Sequence, residues 1–194
     1  LNGKLTAGFV HGVQREGIVA TAKHFIANNK ETNRNELNAV VDERALYEIY
    51  LPAFKEAVDA GVLSIMTGAN RVNGTYSSSN PQLISILKRD WGWPGFLYTD
   101  WNAAQSTTPS IVSGLDLSMP GCPHRAMAAH RVRQAYDEGD FKEEVLDDHV
   151  RRLLRGYWFA GNLKGAPERK AVPADFERSH KLAYEVAVDS MTLV

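Results

Sequence analysis

The 194-residue sequence predicts an α/β fold built from parallel βα units. Short apolar or β-branched runs, each bounded by Gly, Pro or Asn, alternate with longer stretches of helical periodicity. Hydrophobic residues make up 44% and charged residues 23%, the balance of a chain that buries a core. Four such units are legible, whereas a complete (β/α)8 barrel needs about 250 residues. An open doubly wound sheet and part of a closed barrel both fit the alternation. The ends tip the choice toward half of a TIM-like (β/α)8 barrel, because Leu1-Asn2-Gly3-Lys4 and Met191-Thr192-Leu193-Val194 both read as cut.

The predicted strands are Gly17–Phe25, Val62–Ala69, Gly95–Trp101 and Leu115–Met119. Between the first two, Glu43–Ala60 reads as a helix: Leu46, Ile49, Tyr50, Ala53, Phe54, Ala57 and Val58 recur at three- and four-residue steps. Asp42 is its natural N-cap and Gly61 its stop, while Pro52 should bend it or remove one backbone bond. Pro81–Asp90 and His124–Glu138 are the next helices. A longer one, Phe141–Phe159, has Asp140 as expected N-cap, Glu143 three residues on, and Gly161 beyond its end. Residues 1–160 therefore form the partial barrel. Residues 161–175, rich in Gly, Pro, Lys and Arg, read as a linker, and helical periodicity resumes over 176–194.

Composition narrows the functional classes. Lys and Arg total 22 against 23 Asp and Glu, so there is no basic excess for a nucleic-acid partner. Mean hydropathy is −0.31, and no apolar run approaches the roughly 18 residues of a membrane-spanning helix. The six histidines show no HExxH or Cys/His ligand spacing, so no metal site is expected. No glycine-rich phosphate loop occurs, and no cofactor is implied. Cys122, the single cysteine, reads as a small buried hydrophobe.

Functional side chains of parallel βα folds gather at the C-terminal ends of strands. Three such ends here are polar: Lys23-His24 with the loop Asn28–Arg34, Met66 through Gly74, and Thr99-Asp100-Trp101-Asn102. A carboxylate at the last position of a buried strand must be paired, hydrogen-bonded or functional, and for Asp100 a cap or an Arg partner competes evenly with a catalytic role. Trp101 offers the flat apolar face on which sugar rings stack, or simply packs. Lys23 and His24 would diverge on a regular strand, but a strand end can turn both toward a pocket. Arg34, Asn70, Arg71 and Asn73 are ordinary loop residues, and Asn73-Gly74 is a turn signal.

In their order and spacing, several stretches resemble glycoside hydrolase family 3 enzymes of the β-glucosidase type. They are Gly17-Ile-Val-Ala-Thr-Ala-Lys-His-Phe-Ile-Ala-Asn-Asn29, Val41-Asp-Glu-Arg-Ala-Leu-Tyr-Glu-Ile-Tyr-Leu-Pro-Ala-Phe54, Asn70-Arg-Val-Asn-Gly74, Asp90-Trp-Gly-Trp-Pro-Gly95, Thr99-Asp-Trp101 and Gly114-Leu-Asp-Leu-Ser-Met-Pro-Gly121. The resemblance implies the C-terminal half of the barrel, a linker, and the first helix of an α/β sandwich domain. It further implies retaining hydrolysis of terminal β-D-glycosidic bonds, with Asp100 as nucleophile and a covalent glycosyl-enzyme. Lys23, His24, Trp101, Arg34 and Met66 are matched to substrate binding, and a β-glucoside or oligosaccharide is the expected partner. The family's acid/base is a Glu of its second domain, which the chain does not reach.

Ala69 departs from the many relatives that carry Tyr there, a residue lining the subsite near the nucleophile. Ile26-Ala27-Asn28-Asn29 after Lys-His, in place of a Pro-Gly-His-Gly type stretch, favours the glucosidase or xylosidase side over the β-N-acetylglucosaminidase branch. A non-catalytic carbohydrate-binding homologue is the alternative suggested by Ala69. A barrel lyase using Lys23 as a Schiff-base nucleophile is a third reading.

Overall fold

The structure, a computed structural model, describes residues 1–122, 124–169 and 172–192. Helix α1 (Asn2–Arg15) precedes strand β1 (Thr21–Phe25), and a two-residue strand β2 (Asn38–Ala39) follows the β1 loop. Next come α2 (Glu43–Ala45), a π-helical stretch Leu46–Tyr50, and α3 (Leu51–Asp59). Strand β3 (Ser64–Thr67) leads into the hairpin β4 (Arg71–Val72) and β5 (Thr75–Tyr76). A 3₁₀ turn Ser77–Ser79, helix α4 (Pro81–Ser85) and a second π stretch Ile86–Asp90 lead to β6 (Phe96–Thr99). Helices α5 (Thr108–Ser113), α6 (Ala129–Asp137), α7 (Glu143–Phe159) and α8 (Phe176–Ser190) complete the chain. Among the described residues no helix is long and apolar enough to cross a membrane.

The main sheet is parallel, in the order β1-β3-β6. Successive strands are added on one side without reversal, the winding of a barrel wall rather than of a doubly wound sheet. One face carries Ala22, Ile65 and Leu97, packed with Phe25, Ile84, Leu87 and Trp93 against the helices. Period-two alternation turns Thr21, Ser64, Met66 and Tyr98 to the opposite face, which continues into the strand ends.

Pro52 neither breaks nor sharply ends the helix predicted over Glu43–Ala60. The chain inserts a π turn instead, the Leu51 N–H bonding the Leu46 carbonyl, so Pro52 falls in the first turn of α3 where its missing donor is tolerated. Asp42 caps the start, accepting from the Ala45 N–H at 2.7 Å. At Asn73-Gly74 both φ values are positive (49° and 92°), as a tight β4–β5 hairpin requires.

Four expectations are corrected. Leu115–Met119 is not a strand: it touches the sheet through one bridge, Leu117 to Tyr98. The N–H groups of Asp116 and Leu117 both converge on the Leu97 carbonyl, which breaks the alternation of a ladder. The third helix begins at Ala129 rather than His124, after turns closed by Cys122 and Arg125 carbonyls. Asp140 does not cap α7, whose N-cap is Lys142; its carboxylate accepts from the Thr108 hydroxyl at 2.5 Å. Cys122 is only half-buried. Helix α1, unread in the sequence, is pinned by Gln14, which donates to the Gly61 carbonyl and accepts from the Leu63 N–H.

Beneath β6 lies a buried ionic cluster. The Asp116 side chain is fully buried, with Oδ1 2.6 Å from both Lys88 Nζ and His149 Nδ1. Its Oδ2 accepts from the Leu97 N–H at 2.6 Å. Arg152 on α7 is held by Asp148 and donates to the Trp93 and Gly95 carbonyls. Burial holds Lys88 below the ordinary lysine value, with Asp116 opposing the shift. Asp116, Asp148 and His149 approach one another within 4.8 Å, but the ammonium of Lys88 already occupies the carboxylate that a cation would use.

Asp116→Ala would strand three donors, Lys88, His149 and the Leu97 N–H, without their carboxylate. Its expected cost is about 3–5 kcal/mol in chemical denaturation. Removing the exposed Lys55–Asp59 pair by Lys55→Ala should cost no more than about 0.5 kcal/mol. Equal losses for the two variants would disprove the assignment.

Candidate active site

Strand β6 ends at Thr99, and the chain then turns so that Asp100 lies at the strand mouth with its side chain only 9% exposed. The turn is held by the bond from the Asp100 N–H to the Thr67 carbonyl and by the Ala103 N–H on the Asp100 carbonyl. Asn102, at φ 61°, donates its N–H to Met119, and the Thr99 hydroxyl accepts from the Met119 N–H. Leu115–Met119 thus braces the turn that carries Asp100 although it is not a strand.

Asp100 gathers its partners from two directions. Oδ1 accepts from the Trp101 N–H at 2.7 Å. Oδ2 accepts from Arg34 Nη1 at 2.7 Å, and His24 Nε2 stands 3.6 Å away. Each oxygen thereby keeps a further lone pair. His24 titrates below its ordinary 6.5; burial is the main cause, Lys23 and Arg34 add to it, and Asp100 and Glu31 oppose it. As pH falls from 6.5, the unfolded chain therefore takes up this proton before the folded one, and His24 withdraws stability across that window.

Arg34 reaches Asp100 because the loop after β1 folds back on itself. Asn33 occupies the left-handed region (φ 52°), and its carbonyl accepts from the Glu36 and Leu37 N–H groups. Glu31 receives a second Arg34 contact at 3.3 Å and one from the Asn28 amide at 3.1 Å. Ala27 also has positive φ (59°), a strained setting for a residue with a Cβ. Buried Asn70 holds it there, its amide donating to the Ile26, Ala27 and Arg71 carbonyls. Gly68 is needed beside it, since a Cβ would lie 2.5 Å from Asn70 Oδ1.

Of the six residues singled out, Arg34 and His24 both meet Asp100. Lys23 is exposed and makes no hydrogen bond or ion pair among the described residues. It shares with His24, Asn28, Asn29 and Tyr50 a cleft of about 650 Å³ whose wall does not include Asp100. Trp101 is half-exposed beside Asp100. Met66 is buried and stands opposite Tyr98 in register. Glu31 and Asn70 were not singled out as site residues; only their place in polar strand-end loops hinted at a role. Ala69 is fully buried.

Residues 1–156 match the family described as the glycosyl hydrolase family 3 N-terminal domain. A β-glucosidase of Rhizobium radiobacter is 38% identical over the whole chain, which covers 24% of that protein. β-Glucosidase 3B of Thermotoga neapolitana, solved with glycerol, superposes with a TM-score of 0.86 at 39% identity, over 94% of this chain and 26% of that one. The β-glucosidase of Kluyveromyces marxianus, solved with glucose, gives 0.85 at 37% identity, over 97% and 24%. The chain therefore spans about a quarter of the relatives it matches, and its α/β architecture is that of part of a barrel.

Replacing Asp100 by Asn removes a group that raises the His24 value, so the His24 midpoint followed by NMR should move further below 6.5. Arg34→Leu should move it upward. A midpoint unmoved by both variants would contradict the geometry.

Proposed function

The chain belongs to glycosyl hydrolase family 3, and on that premise we propose that it supplies the nucleophile side of a retaining β-glucosidase site. The observation that carries the reading is the carboxylate of Asp100 at the mouth of β6, paired with Arg34 and faced by His24. In the first step Asp100 attacks the anomeric carbon of a terminal β-D-glucoside, and the aglycone leaves as the bond to Asp100 forms. Water then cleaves that bond, with net retention. A second carboxyl, about 5–5.5 Å from the nucleophile, protonates the leaving group and activates the water. The resemblance assigns it to a Glu of the family's second domain, for which residues 161–175 are the proposed linker and α8 the opening helix.

Each remaining residue has a place in this scheme. The free lone pairs on Asp100 remain available to the sugar, while Arg34 and the Trp101 N–H hold the carboxylate in one orientation. His24 and the exposed Lys23 would hydrogen-bond sugar hydroxyls, as the resemblance implies, bonds that can strengthen as charge develops on the ring. The half-exposed Trp101 face offers a stacking wall, and the resemblance assigns buried Met66 to substrate binding as well. A β-xyloside is the alternative substrate within the same family.

Treating the intact protein with a 2-fluoro-glucoside bearing a good leaving group should trap a covalent sugar, and peptide mapping should find it on Asp100. Asp100→Asn should lower kcat on the order of 10⁴-fold or more. A folded protein that binds sugar but is never labelled would favour the non-catalytic reading, with Ala69→Tyr the first variant to restore activity.

A further inference from the structure

One layer below the site, the inner face of the sheet carries three linked hydroxyls. Ser64 Oγ donates to the Ala20 carbonyl at 2.9 Å. A serine has one hydroxyl proton, so in its 2.5 Å contact with Thr21 it is the acceptor and Thr21 the donor. The Thr21 proton being used, Tyr98 donates to Thr21 Oγ1 at 3.2 Å. The direction is therefore unique, running from Tyr98 through Thr21 and Ser64 to the Ala20 carbonyl.

This chain spans two strands that are not neighbours. β3 separates β1 from β6, and the register of β1 on β3 breaks between Ala22 and Phe25. Regular pairing therefore does not itself set where Lys23 and His24 stand relative to β6. Among the described residues, only two side-chain polar contacts join β1 to β6 and its end: Tyr98 to Thr21, just before the break, and His24 to Asp100, beyond it. Tyr98 lies two residues before Asp100, on the strand that leads into it, and Thr21 three residues before His24.

We propose that Tyr98 is a positioning residue for the nucleophile site: through Thr21 it sets the separation of His24 from Asp100. It acts on the strands and not on the sugar. The proposal rests on the catalytic reading above for its effect on turnover, but its geometric content can be read without turnover.

The test uses the intact protein, with Tyr98→Phe and Thr21→Val removing the two hydroxyls and Thr21→Ser keeping one. With an aryl β-glucoside, Tyr98→Phe and Thr21→Val should each lower kcat roughly five- to tenfold with KM changed less than about twofold. The double variant should be little worse than either single one, since both break one chain. Thr21→Ser should recover most of the loss.

NMR titration of His24 gives the second readout, because Asp100 raises its value against Lys23, Arg34 and burial, with Glu31 on the side of Asp100. A wider separation lowers the midpoint, so Tyr98→Phe should shift it down. Wild-type kcat and an unmoved His24 midpoint in Tyr98→Phe would overturn the proposal, as would a loss confined to the denaturation midpoint. Labelling of the wild-type protein by the 2-fluoro-glucoside reports separately on the catalytic reading. If no labelling occurs, the His24 midpoint alone decides the positioning role.

Discussion

Burying a carboxylate at the end of a strand is costly unless its oxygens find donors, and much of this chain is arranged around that cost at Asp100. Arg34 arrives from a loop that must fold back to reach it, and Trp101 supplies a backbone N–H from the same turn. The loop holds its shape because Asn33 tolerates a left-handed conformation and Asn70 secures the strained Ala27. Even the segment after α5 is recruited, its Met119 backbone bonding Thr99 and Asn102 on either side of Asp100. An anionic group so placed is preorganised, since its partners are in position before any substrate is.

The same economy recurs on the far side of β6. Asp116 is as deeply buried as any charge in the described residues, and it accepts from Lys88, His149 and the Leu97 backbone at once. Because Leu97 sits three residues before Asp100, this cluster anchors the strand that leads into Asp100 to α7 and to the helix before β6. Arg152 adds bonds to the Trp93 and Gly95 carbonyls at the entry to the strand. β6 is thereby held from below by ions and from the inner face by hydroxyls.

Much of this was legible in the sequence, for reasons that differ by element. β3 was visible because a strand buried on both faces reads as a short apolar run, and β1 and β6, buried only in part, because turn residues bound them. The helix after Asp42 was visible because its apolar positions repeat at helical spacing, yet the π turn that absorbs Pro52 leaves no mark in that periodicity. Leu115–Met119 has the composition of a strand but meets β6 through a single parallel bridge, Leu117 to Tyr98. Asp140 looked like a cap, but the Thr108 hydroxyl, 32 residues away, claims it. Asp100 stood out as a carboxylate ending an apolar run, whereas Glu31 and Asn70 did not, because their importance comes only from what they touch.

The alternation of strands and helices, the polar strand ends and the family motifs are local properties, and the sequence by itself determined them. Which way the sheet winds, that Arg34 rather than Lys23 pairs with Asp100, and that Tyr98 joins strands separated by a third were decided only in the tertiary structure. Pairing across 66 and 77 positions depends on register, loop curvature and strand twist together. No window of the sequence contains those three at once, so their outcome is written only in the folded chain.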